Sequence, residues 1–78
     1  MEIAIILKKN GKSFTTERSD IFSFIQTKHI FSAQDISENF QDIGRASIFR
    51  TINVFLEIGV IRRIPFSERG EVYEIIEN

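Results

Sequence analysis

Along residues 44–59, GRASIFRTINVFLEIG, the positions Ile48, Ile52, Phe55, Leu56 and Gly59 return to one side of a helix with 3.6 residues per turn. The spacing predicts an amphipathic helix over residues 45–58, closed by Gly59 in a left-handed conformation with Val60 supplying the usual hydrophobic contact. Three earlier segments share the helical period. Residues 14–29, FTTERSDIFSFIQTKH, carry an apolar stripe of Ile21, Phe22, Phe24 and Ile25 behind Thr15 or Thr16 as N-cap, and predict a helix ending near Thr27. Residues 32–40, SAQDISENF, open with Ser32 and have Asp35 three places on, the pattern of a capping box, with Ala33, Ile36 and Phe40 on one side. Residues 2–11, EIAIILKKNG, read as a short first helix, with Lys8 and Lys9 placed to suit its negative end and Gly11 following.

Beyond Gly59 the period shortens. VIRRIPF and EVYEIIE are β-rich runs about the turn SERG, in which Gly70 can take a positive φ, and Pro65 marks the distal end of the first run or an edge. The tripeptide IFS at residues 30–32 allows one brief further strand. QDIG is a tight connection between the third and fourth helices. About four helices followed by a two-stranded hairpin, with two helices joined by a very short turn, give the order of a winged helix-turn-helix. The expected class is α+β, mainly α, in a single domain over residues 1–78.

Composition narrows the chemistry. The 78 residues include no cysteine, which excludes disulfides, thiolate metal sites and a cysteine nucleophile, and makes a reducing cytoplasm the expected setting. The apolar run Ile3 to Leu7 is too short for a signal peptide or a membrane span, and no membrane partner is expected. His29 is the only histidine, so neither a histidine-based triad nor a multi-histidine metal site can form, and it is read as a loop residue. There is no glycine-rich phosphate loop, and the carboxylates are scattered over solvated faces. An enzyme is not expected.

A net charge of −1 argues against binding nucleic acid through bulk positive charge alone. The distribution is less even than the sum. Between residues 44 and 63, Arg45, Arg50, Arg62 and Arg63 face Glu57 alone, whereas residues 32–42 carry only the acids Asp35, Glu38 and Asp42. Opposite the apolar stripe of the fourth helix lie Ala46, Arg50 and Asn53, with Phe49 on the flank. Arginine can donate two hydrogen bonds to guanine and asparagine two to adenine, and alanine or an aromatic ring can touch the thymine methyl. Arg45 at the helix mouth suits a phosphate. Taken alone, Phe49 reads equally as a buried or interface ring, and Arg50 and Asn53 as a solvated face. Arg62 and Arg63, adjacent in a strand, point to opposite sides, so at least one should be exposed. A phosphate contact and a solvated strand edge are both open for them, and for Arg69 at the hairpin tip.

LKKNG followed by TTER, then FSAQDI, IGRASIFRTINVFLEIGVI and RGEVYEI, together resemble the DNA-binding half of the ferric uptake regulator family, from about Leu7 to Ile75. The most specific part is the block from Ala46 to Ile52, which includes Ser47. The resemblance implies a bacterial, metal-responsive repressor whose N-terminal winged helix reads DNA, an A·T-rich operator as partner, and a separate C-terminal domain that dimerises and binds iron, zinc or manganese. On that basis the chain is expected to be a fragment or a stand-alone version without the dimerisation domain, monomeric as given and homodimeric if that domain is present. Arg18 falls on the arginine of the family's second-helix start. The lysine that reaches the minor groove in the family aligns with Ser13, so its role passes to Lys12, one residue earlier; the basic cluster of Lys8, Lys9 and Lys12 could equally serve the end of the first helix.

Several positions depart from the family. Phe49 replaces a tyrosine, keeping the ring and losing the hydroxyl, and Glu17 replaces a proline. Ile30 occupies the slot of a metal-binding histidine, with His29 one place earlier, whereas Glu74 matches one family ligand. No cofactor and no metal site are expected in this chain. The alternative reading is a winged helix that acts as a protein-interaction adaptor, docking through the Phe49 side of the fourth helix.

Overall fold

The computed structural model describes residues 2–65, 68 and 70–76. Four helices come in the order α1 (Ile3–Lys9), α2 (Thr16–Lys28), α3 (Ala33–Asn39) and α4 (Arg45–Glu57), with strand β1 (Ile30–Phe31) between α2 and α3 and strands β2 (Ile61–Ile64) and β3 (Val72–Ile75) at the end. The helix starts follow their cap chemistry. The Thr15 hydroxyl accepts the Arg18 N–H at 3.1 Å, and Ser32 and Asp35 form a reciprocal box, with distances of 3.1 and 2.9 Å, that satisfies two otherwise unpaired N–H groups of α3. At the other end of α4, Gly59 takes φ +80°, a conformation that other residues adopt only with strain, and turns the chain directly into β2.

The sheet has one strand more than the hairpin expected from the sequence. Its order is β1-β3-β2, all antiparallel, with Ile30 opposite Glu74 and Phe31 opposite Tyr73 on one side of β3, and Arg62 opposite Glu74 and Arg63 opposite Tyr73 on the other. The brief IFS strand is thus not an isolated addition: it supplies the second edge of the wing sheet. His29 makes this possible. It is the C-cap of α2 with φ 65° and ψ −51°, and its N–H donates to the Ile25 carbonyl while its own carbonyl accepts the Ile75 N–H at 2.9 Å. His29 is thus the loop residue that the sequence suggested, a one-residue corner where the helix ends and sheet pairing begins.

One core fills the space between helices and sheet. Leu7, Ile21, Ile25, Phe31, Ile36 and Phe55 are completely shielded, and Phe22 meets Phe55 edge-to-face with ring centroids 5.6 Å apart. Phe31 stacks on Tyr73 across the β1–β3 pair at the same separation, and Phe24 packs edge-on to Phe40 where the chain leaves α3. The buried face of α4 is Ile48, Thr51, Ile52 and Phe55, with Leu56 only partly covered and Gly59 exposed. The apolar stripe read from the sequence was centred slightly off, because the pattern could not show that the methyl-bearing Thr51 turns inward.

Two outcomes test this account. Ser32→Ala removes one arm of the capping box and should cost about 1 kcal/mol in a urea unfolding curve. Burial pushes the phenol of Tyr73 above its ordinary value of 10.0, with the charge of Glu71 adding to the effect and Arg63 opposing it. The folded state then holds the phenolic proton more tightly than the unfolded state. Its contribution to stability is complete below the unfolded pKa and falls as pH rises from there through the folded value. Because Tyr73 is the only tyrosine, the phenolate absorbance of the folded chain should titrate above that of the denatured chain.

Candidate nucleic-acid interface

Helix α3, the turn after it and helix α4 form the helix-turn-helix. The turn is closed by the Ile43 N–H donating to the Phe40 carbonyl at 3.0 Å, and Ile36 on α3 and Ile48 on α4 are both buried in the shared core. With its inner face fixed by Ile48, Ile52 and Phe55, α4 must turn the opposite face to solvent. Ala46, Arg50, Asn53 and Glu57, spaced four, three and four residues apart, make a single exposed stripe along the helix.

Around this stripe the structure gathers most of the residues marked in the sequence. Arg45 is exposed in the first turn of α4, which has neither an acidic side chain nor a side-chain cap on Gly44. Its peptide N–H groups and its guanidinium therefore add positive potential at the same end. Phe49 is 39% exposed and, with Arg45 and Ile48, lines a shallow groove against Ala33, Gln34 and Ser37 of α3. The Arg50 guanidinium donates to the half-buried Ser47 hydroxyl at 3.0 Å, which holds the arginine along the helix surface one turn from the mouth.

The remaining basic candidates are engaged elsewhere. Arg18 donates to the Ser13 carbonyl at 2.7 Å and so shapes the loop between α1 and α2. Lys12, in that loop, forms an ion pair with Glu57 at the far end of α4 from Arg45. Arg62 and Arg63 are both exposed, and each faces an acid: Arg62 binds Glu74 through Nε at 2.8 Å and Nη2 at 2.6 Å, and Arg63 lies 3.5 Å from Glu71. Arg69 lies outside the described residues. Glu57 is the participant that sequence reading passed over. Its spacing from Asn53 was the available signal, since residues four apart share a helix face.

Glu74 lies in the middle of a row, with Ile30 opposite it on β1 and Arg62 opposite it on β2. This row does not fit a metal. Its one carboxylate already accepts a hydrogen bond from the Arg62 Nε–H and is ion-paired with Nη2 of the same guanidinium, the Ile30 side chain offers no donor atom, and a cation placed there would meet the charge of Arg62. Among the described residues no three histidine, cysteine or acidic side chains converge on a common point.

The profile of the ferric uptake regulator family matches residues 9–78. A ferric uptake regulation protein of Haemophilus ducreyi is 34% identical over 79 residues, covering 90% of this chain and 52% of its own. The peroxide-responsive repressor PerR of Staphylococcus saprophyticus is 26% identical over 73 residues, covering 87% and 49%. The chain thus spans about half the length of the curated relatives it matches. The crystal structure of the Vibrio cholerae ferric uptake regulator superposes with a TM-score of 0.81 at 28% identity, over 97% of this chain and 63% of that one. The manganese-containing regulator of Pseudomonas aeruginosa, at 24% identity, shares the fold with a TM-score of 0.81 over 99% of this chain and 62% of its own. A profile match that begins at Lys9 and runs through every element from α2 to β3, joined by a relative at 34% identity, means that this chain belongs to the ferric uptake regulator family.

Proposed function

We propose that this chain is the DNA-reading unit of a bacterial transcription regulator, with α4 in the major groove and the sheet hairpin beside the backbone or minor groove. The observation that carries the proposal is the exposed stripe of Ala46, Arg50 and Asn53 on the first turns of a helix whose opposite face is locked into the core. These side chains have the donors and the small apolar surface that base edges accept, and Arg45 with the open N-terminus of α4 suits a phosphate. Phe49, beside them, can meet a thymine methyl through its ring edge. Binding would be repressor-like, on an A·T-rich operator, and dimerisation would come from a further domain that sets the spacing of two half-sites.

Metal would act outside this unit. The Glu74 carboxylate in the row with Ile30 is already balanced by Arg62.

Titration with an A·T-rich duplex at low and at moderate salt tests the reading: DNA binding predicts steep weakening with salt, whereas docking of a protein through the apolar Phe49 groove predicts little. In the same assay Arg50→Ala should weaken specific binding by about 1 to 3 kcal/mol and relax preference at one base pair. An equal loss on every sequence would reassign Arg50 to the phosphates. Calorimetry with zinc or manganese should show no stoichiometric site of micromolar or tighter affinity in the tag-free chain, and a site abolished by Glu74→Gln would refute the assignment of that carboxylate to Arg62.

A further inference from the structure

Glu57 is the only acid in α4, and it falls on the same stripe as Ala46, Arg50 and Asn53. An exposed carboxylate there is unfavourable twice over: it lies at the negative end of the helix dipole, and it would repel the phosphates of any duplex that the stripe approaches. Its side chain is 63% exposed.

The loop between α1 and α2 brings one cation to it. Gly11, with φ +69°, turns the chain after α1. The Lys12 N–H is then fixed to the Leu7 carbonyl at 2.9 Å, and the carbonyl of the next residue, Ser13, is fixed by the Arg18 guanidinium at 2.7 Å. The backbone is pinned on both sides of Lys12, and its ammonium, only 28% exposed, closes on the Glu57 carboxylate. The two anchors come from the helices on either side of the loop, α1 through Leu7 and α2 through Arg18.

We propose that Lys12 supports DNA binding by neutralising Glu57 at the end of the reading stripe, as a positioning residue, and not by contacting a phosphate itself. This rests on the DNA-reading function proposed above. Arg18 then has its role through Lys12, since it holds the loop that delivers the ammonium.

A double-mutant cycle on the 78-residue chain, read by titration with the A·T-rich duplex at fixed moderate salt and well below the melting temperature of every variant, decides the matter. Lys12→Gln should weaken binding by about threefold to tenfold on all sequences, the size expected for one uncompensated surface charge near phosphates. Glu57→Gln should bind as well as the unsubstituted chain or better. Lys12→Gln combined with Glu57→Gln should return to within about twofold of Glu57→Gln alone, and Lys12→Arg should retain full affinity. An equal loss from Lys12→Gln in both backgrounds would show a direct phosphate contact and overturn the proposal. So would a lowered melting temperature with unchanged affinity, which would make the pair a purely structural clamp. Absence of salt-dependent DNA binding in the unsubstituted chain would instead remove the DNA-reading function, and this role of Lys12 with it.

Discussion

The edge-to-face contact of Phe22 and Phe55 is the constraint on which the rest of the molecule depends. It joins the longest helix before the turn to the helix with the exposed stripe, and it does so with rings too large and too well shielded to be replaced without leaving a void. Once Phe55 is committed inward, Ile48 and Ile52 follow on the same face, and the rotation of α4 about its axis is settled. The direction in which Arg50 and Asn53 point is therefore decided on the opposite side of the helix, by apolar packing that has no chemistry of its own.

Charge is arranged locally on this framework. Three exposed or half-buried cations are answered by an acid that the fold brings beside them: Arg62 by Glu74 across the β2–β3 pair, Arg63 by Glu71 just before β3, and Lys12 by Glu57. At the mouth of α4, Arg45 lies beside peptide N–H groups with no acid in the first turn of the helix. A slightly acidic protein can thus offer a confined positive site, because screening in salt water lets a local field outweigh the net charge at distances of about ten ångströms.

Helices were legible in the sequence because their signals are local. Ser32 and Asp35, or Thr15 and Arg18, are three residues apart, and the capping geometry that they form needs nothing from elsewhere in the chain. The family resemblance rested on the block from Ala46 to Ile52 and agrees with the profile match. What could not be read were the pairings between segments far apart. The brief strand at Ile30 and Phe31 was open to sequence reading, but its partner was not, because a two-residue strand has no period that could point to β3. The engagement of Lys12 and of Glu74 depends on which loop or strand the fold lays beside them, and composition is silent about that.

The order of the sheet has a consequence for how the protein is made. Its central strand, β3, is the last to leave the ribosome, while the strands it must join, β1 and β2, are synthesised earlier and do not pair with each other. Until Val72 to Ile75 emerge, both have open edges and Phe31 lacks the ring of Tyr73 to stack against. The helices can form as they appear, but the sheet can close only at the end, by a contact spanning more than half the chain, so this long loop closure is the step expected to limit the folding rate. The winged-helix unit becomes complete in a single late event, and a nascent chain stopped short of it would have α4 without the closed sheet.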